Sequence, residues 1–240
     1  LSSRIGRFTV MAVFLAAAGP LQAQHPNVMI SDVDQPNEIS VTINPTDPRN
    51  MVAGANIASV YNSEDGGMTW SRIQQKSSYG VWGDPVLIAD TSGAVYHFHL
   101  AKTPGGNFID RIVCQRSDDG GKTFNDGSYI GLNGDKAQDK PWGAVNPFNN
   151  EIYVTWTQFD KYNSPDPNDF SNILFSKSGD RGETWSEPVQ INSISGDCLD
   201  DDNTVEGAVP AVGPNAEIYV AWSGPNGLAF NKSLDGGETW

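Results

Sequence analysis

One eight-residue phrase occurs four times in this chain of 240 residues. It reads Ser63-Glu64-Asp65-Gly66-Gly67-Met68-Thr69-Trp70, and it returns as Ser117 to Phe124, Ser178 to Trp185 and Ser233 to Trp240. The shared pattern is S-x-D-x-G-x-T-[WF], with successive copies starting 54, 61 and 55 residues apart. Self-similarity at such a period marks a stacked or radial array of units that cannot each bury a core alone. Within each copy the Asp (Asp65, Asp119, Asp180, Asp235) accepts hydrogen bonds from backbone N–H groups just ahead of it and closes a turn. The Gly two residues later supplies the positive φ of a tight hairpin. The closing aromatic ring is large enough to pack between neighbouring sheets. Turn chemistry accounts for these four Asp residues, and they are assigned a structural role.

A common grammar fills the space between the phrases. An inner strand comes first: Ile39 to Ile43, Val86 to Ala89, Trp142 to Val145, and Ala208 to Val212. Turns rich in Asn, Pro, Asp and Gly follow, such as Asn44-Pro45-Thr46-Asp47-Pro48. The second strand alternates with period 2, placing Ile152, Val154 and Trp156 on one face and Tyr153, Thr155 and Thr157 on the other. Ile218, Val220 and Trp222 repeat that face in the fourth unit. A third strand leads into the phrase and a fourth leaves it. Four antiparallel strands per repeat make a propeller blade, so the expected fold class is all-β, a β-propeller of four-stranded blades.

Because strand direction alternates, the repeated phrases are expected on one face of the propeller. The loops that join second to third strands, and blade to blade, are expected on the other. A long insertion in the third repeat, Gln158 to Asn172, falls on that second face and carries Tyr162.

The ends carry their own signals. Arg4 and Arg7 precede an apolar run from Phe8 to Ala18, and Ala23 is a small residue suited to cleavage. Residues 1–23 are read as a signal peptide and 24–240 as the propeller domain. The apolar run is too short for a bilayer span, so no permanent membrane anchor is expected, and the mature protein is placed outside the cytoplasm, secreted or periplasmic or at the cell surface. The chain begins with Leu and stops on Trp240 inside the fourth phrase, which reads as a fragment of about four blades of a larger propeller. The alternative is a closed four-bladed ring in which residues near Val28 to Ile30 supply the missing outer strand.

Asp and Glu number 29 against 15 Lys and Arg, giving a net charge of −14. A surface this acidic repels nucleic acid and anionic membranes, which are excluded as partners. Cys114 and Cys198 either pair in an oxidising compartment or remain two separate thiols.

An acidic residue precedes each inner strand: Glu38, Asp84, Asp139 and Glu206. Around the mouth of a central channel such carboxylates can serve as acid and base, one of them protonated through burial or a like-charged neighbour. The other reading is that each caps a strand end in solvent. Trp82, beside Asp84, and Trp142 are candidate platforms for a sugar ring, as is Tyr162 in the insertion. The loop from Gly196 to Asn203 concentrates Asp197, Asp200, Asp201 and Asp202. Hard cations take several oxygen ligands, so this loop is either a Ca²⁺ site, with Asp197, Asp200 and Asp202 as ligands, or a solvated acidic loop. No cofactor is otherwise required. His97 and His99 share one face of a strand, and packed, hydrogen-bonded histidines are expected rather than a zinc site, for which no third ligand can be placed.

The repeated phrase resembles the Asp-box, or BNR repeat, of sialidases and related β-propellers. The resemblance runs from about Glu38 to Trp240. Similar boxes occur in sialidases, in xyloglucan-cleaving enzymes and in non-enzymatic propellers, so the resemblance implies fold more strongly than activity. For sialidases it implies six blades and three arginines that bind the substrate carboxylate, the first in an [FY]-R-I-P phrase. Here the corresponding stretch is Gln35-Pro36-Asn37-Glu38-Ile39-Ser40, and the chain has only seven arginines. Arg111 alone is placed to bind a carboxylate. The resulting expectation is a secreted, sialidase-like propeller that engages carbohydrate and hydrolyses a glycosidic bond in the intact protein. Its rival is a non-catalytic propeller for carbohydrate or protein binding.

Overall fold

The computed structural model describes residues 25–199, 201 and 203–240. The leader segment, Asp200 and Asp202 lie outside the described residues. The chain forms four successive antiparallel sheets, the blades of a β-propeller. The first contains β1 (Ser40–Ile43), β2 (Met51–Ala55), β3 (Ser59–Ser63) and β4 (Ser71–Gln74). The second contains β5 (Val86–Ala89), β6 (Val95–Leu100), β7 (Ile112–Ser117) and β8 (Ser128–Ile130). The third contains β9 (Ala137–Val145), β10 (Ile152–Phe159), β11 (Ser171–Ser178) and β12 (Val189–Gln190). The fourth contains β13 (Glu206–Val212), β14 (Ile218–Gly224) and β15 (Gly227–Ser233). Among the described residues no helix is long and apolar enough to cross a membrane.

Inner strands pack in the order β1, β5, β9, β13, and no comparable packing joins β13 back to β1 among the described residues. The closed four-bladed alternative is therefore not what forms. Ile30 packs against Ala53, Ala55 and Tyr61 of the first blade instead of adding a strand to the fourth. Apolar side chains stay exposed on the first blade (Ile39, Val41, Ile43) and on the fourth (Val209, Leu228, Phe230).

The core lies between blades. On β10, Val154 and Trp156 face the second blade and Tyr153 faces the fourth. Thr155 and Thr157, on the same face as Tyr153, donate from Oγ1 to the carbonyls of Ala208 (2.7 Å) and Val205 (3.1 Å). The polar members of the alternation thus bind the next blade. They do not face water, because both faces of this sheet are covered. The insertion is shorter than expected: Gln158 and Phe159 pair with Asn172 and Ser171, leaving residues 160–170 as the loop.

The four repeated phrases adopt one geometry. In each, Asp Oδ1 accepts from the N–H of the Thr four residues on at 2.9 Å. Oδ2 accepts from that Thr hydroxyl at 2.5–2.7 Å. The Ser hydroxyl donates to the Asp carboxylate and accepts from the Gly N–H. These bonds, from Thr69 above all, hold the exposed Asp65 carboxyl down at about 2.

The closing aromatics of the last three phrases lie against the preceding blade. Phe124 packs with Val52 and Val60, Trp185 sits 5.8 Å from Phe98, and Trp240 sits 4.9 Å from Phe175. Among the described residues no blade precedes Trp70, which packs against its own sheet with Ile30. Ion pairs run the same way along the rim: Glu64 to Lys122, Arg116 to Glu183, Asp118 to Arg181, and Lys177 to Glu238. Being exposed, each contributes little.

His97 and His99 differ from each other. His99 is hydrogen-bonded through Nδ1 to Leu100 O (2.9 Å) and through Nε2 to Gln115 Oε1 (3.1 Å). His97 is buried 5.2 Å from the His99 ring and 6.0 Å from Phe124, with neither nitrogen hydrogen-bonded, which corrects the expectation of two bonded histidines. Burial, then the neighbouring His99, hold its pKa well below the ordinary value. The unfolded chain therefore binds a proton that the folded one refuses, and stability is lost as pH falls below about 6.5. His97→Val, matching Val154 and Val220 on β10 and β14, is expected to raise the urea midpoint, by more at pH 5 than at pH 8. Both cysteines are buried free thiols, which settles that alternative.

Candidate active site

All four inner strands begin with the same irregularity. On β9 the pairing jumps from Trp142↔Thr155 to Asp139↔Thr157, and on β13 from Val209↔Ala221 to Glu206↔Ser223. In the first blade Asn56 N–H donates to Asn37 O (2.9 Å) while Ser40 pairs with Gly54. In the second, Leu100 N–H donates to Gly83 O (3.0 Å) while Val86 pairs with Phe98. Each is a one-residue bulge, a device that re-aims side chains. Its first residue is left-handed in every blade: Glu38 (φ 49), Asp84 (φ 50), Lys140 (φ 48) and Gly207 (φ 68). Only the last is glycine. A side chain here costs roughly 1–2 kcal/mol, and such strain collects at functional sites.

This register corrects the sequence alignment of the ring. Asp84 is equivalent to Lys140, not to Asp139; Asp139 and Glu206 each stand one position earlier. The shared proline in Asp84-Pro85 and Lys140-Pro141 was the available signal.

The bulges gather four carboxylates around one ammonium. The Glu38 and Asp84 carboxyl groups interact directly, and the contact favours the protonated form of Glu38 and the ionised form of Asp84. Burial, this contact and the Asp84 charge raise the Glu38 pKa, while the same contact lowers that of Asp84, so Glu38 is the better acid of the pair. Asp84, its side chain 16% exposed, is nevertheless raised by burial and by the Asp139 charge. Asn56 fixes both partners: its Nδ2 donates to Glu38 Oε2, and its Oδ1 accepts from the Asp84 N–H at 2.8 Å. Lys140 Nζ lies 3.3 Å from Asp84 Oδ2. Burial opposes the Lys140 charge, but Asp139, Asp84 and Glu206 together push its pKa up, and it stays protonated. Asp139 is 3% exposed and accepts from the Lys140 N–H at 2.9 Å.

Two cavities flank this cluster. One, of 270 Å³, is lined by Glu38, Asp84 and Asp139 and walled by Trp82, Phe108 and Tyr162. Trp82 meets Phe108 edge to face at 5.8 Å, and Phe108 meets Tyr162 at 6.0 Å. The Lys102 ammonium lies 3.8 Å from the Trp82 ring centre, so one face of that ring is taken. The other cavity, of 300 Å³, is bounded by Glu38, Asp84, Lys140, Trp142 and Gly207. Both sit at the opposite ends of the strands from the repeated phrases, as strand direction requires.

The structure therefore brings together Glu38, Asp84, Asp139, Trp82 and Tyr162 and adds Asn56, Lys140 and Phe108. Trp142 borders the second cavity, and Glu206 acts on the cluster through the Lys140 charge. Arg111 lies elsewhere. Its guanidinium makes two 2.8 Å bonds to Asp110 and faces the Tyr79 and Tyr129 rings. In the acidic loop, Asp197 and Asp201 accept from the N–H groups of Leu199 and Asn203, and among the described residues no group of three His, Cys, Asp or Glu is placed to hold a metal.

No family model and no curated protein matches the sequence. Solved structures do match its shape. An α-L-arabinofuranosidase from Fusarium graminearum, in complex with an iminosugar inhibitor, is 15% identical over 84% of this chain and 63% of its own, with a TM-score of 0.62. An α-L-arabinanase from Penicillium chrysogenum, complexed with arabinobiose, is 15% identical over 86% of this chain and 65% of its own, with a TM-score of 0.59. A GH43_1 enzyme from Xanthomonas citri, complexed with xylotriose, is 11% identical over 82% of this chain and 69% of its own, with a TM-score of 0.52. At these identities the likeness is one of fold, that of carbohydrate-active β-propellers. The chain spans less than two thirds of the length of the two arabinan-related enzymes.

Proposed function

We propose that this chain is the catalytic-face portion of a secreted Asp-box β-propeller that binds carbohydrate and hydrolyses a glycosidic bond. The observation that carries the reading is the contact between Glu38 and Asp84 in an aromatic-walled cavity that Asp139 also lines, with burial and that contact raising the Glu38 pKa. Glycoside hydrolysis needs one protonated carboxyl for the leaving oxygen and one ionised carboxylate across the bond. Glu38 supplies the proton. Asp84 is too close to Glu38 to stand across a scissile bond, and its part is to keep that proton in place. Asp139 is the opposing carboxylate, acting as base or nucleophile. Lys140 is a positioning residue whose ammonium favours the ionised form of Asp84. The structural neighbours bind arabinobiose and xylotriose, as their descriptions say, which supports a sugar as ligand.

The test is turnover of a panel of chromogenic glycosides by the full-length secreted protein. Hydrolysis of any member supports the reading. A folded protein that cleaves none sinks it and leaves a binding propeller. Lys140→Gln gives a sharper readout, because the Lys140 charge lowers the pKa of both Glu38 and Asp84. Without it both rise, the acid keeps its proton to higher pH, and the alkaline limb of the kcat/KM profile is expected to move upward. A limb that stays in place separates Lys140 from the acid. Secretion is tested by N-terminal sequencing of the exported protein, with cleavage expected after Ala23.

A further inference from the structure

We propose that the cavity accepts uncharged sugars and rejects sugars that carry a carboxylate. The inference rests on the carbohydrate reading above and names its substrate class. Glu38, Asp84, Asp139 and Glu206 surround a single ammonium, that of Lys140. Even with one proton on the Glu38–Asp84 pair, the carboxylates outnumber the ammonium. An anion approaching Lys140 meets competition, since its Nζ is 3.3 Å from Asp84 and the charges of Asp139 and Glu206 also act on it.

The arginines are committed elsewhere. Arg111 is bonded to Asp110, and Arg72 is paired with Asp34 and bonded to Ser59. Arg49, Arg116 and Arg181 pair with Asp47, Glu183 and Asp118 at the ends of the strands that carry the repeated phrases. Lys140 is the cation that lines the cavity, whereas Lys102 rests over the Trp82 ring and is not among the lining residues. A bidentate carboxylate clamp, which is what guanidinium groups provide, is thus missing from the described residues around the cavity.

The same surface suits a neutral sugar. Ionised carboxylates only accept hydrogen bonds, and sugar hydroxyls donate them. Trp82, Phe108, Tyr162 and Ile57 give the C–H faces of a ring an apolar wall. A ligand carboxylate in this place would add like charge to a partly buried cluster, which costs several kcal/mol.

The experiment is calorimetric binding of the full-length protein to arabino-, xylo- and galacto-oligosaccharides, to sialyllactose and oligogalacturonate, and to the methyl esters of the last two. Each acid and its ester differ only in charge. The expected result is binding of at least one uncharged member, with each free acid at least 100-fold weaker than its ester wherever the ester binds. Asp139→Asn is expected to narrow that gap. A free acid bound as tightly as its ester, or more tightly than every uncharged sugar, overturns the inference and leaves the carbohydrate reading standing. A folded protein that binds no member overturns both.

Discussion

Glu38→Gln is expected to lower glycoside turnover by between about a hundredfold and ten-thousandfold, the range contributed by a positioned general acid. Gln preserves the length of the side chain and can still donate to Asp84, so the local fold should persist. What it removes is the transferable proton. The loss should fall on kcat and kcat/KM together, because protonation of the leaving oxygen is realised only in the transition state. Substrates whose leaving groups need no protonation, such as dinitrophenyl glycosides, should be cleaved nearly as well as before. A uniform loss across good and poor leaving groups would place the acid elsewhere, with Asp84 the next candidate. An unchanged thermal unfolding midpoint would separate the chemical effect from a folding one.

Gly121→Ala should be strongly destabilising. Gly121 has φ 84, and an added Cβ would lie 2.5 Å from Val52 Cγ2 in the preceding blade. Left-handed backbone costs roughly 1–2 kcal/mol for a residue with a side chain, and overpacking typically adds about 1–3 kcal/mol. A combined loss of about 2–5 kcal/mol is expected in urea unfolding. Gly67→Ala is the matched control, since it holds the same place in the first phrase with φ 86 and its nearest neighbour, Met51 Sδ, at 3.4 Å. It should lose only the conformational part. Equal losses in the two variants would show that the approach to Val52 relaxes at no cost.

Much of the architecture was legible because it is encoded locally. The S-x-D-x-G-x-T-[WF] phrase specifies its own turn through bonds no more than four residues apart. Its spacing sets the blade, and the alternation through Ile152, Val154 and Trp156 identifies a second strand. The site was legible only in part. Asp84 and Asp139 could be picked out by their position before inner strands, yet their equivalence was misread. An extra residue in every inner strand shifts the register, and a bulge leaves no mark in residue type beyond the two shared prolines. The Glu38–Asp84 contact was not visible at all, since it arises when β1 and β5 pack across blades. Asn56 and Phe108 belong to loops between strands and reach the cavity through tertiary folding alone. His97 was read with His99 as a bonded pair because sequence shows a shared face and not the partners on it.

The backward reach of the repeated phrases has a kinetic consequence. Phe124, Trp185 and Trp240 each clasp the sheet made before their own. During synthesis every newly completed hairpin fastens a sheet already outside the ribosome, so the order of closure is the order of translation. Interblade contacts of this kind join neighbours in sequence, and each step closes a loop of modest length. Only the youngest sheet is ever left without its clasp, and the apolar surface presented to other nascent chains is confined to that growing edge and the first blade.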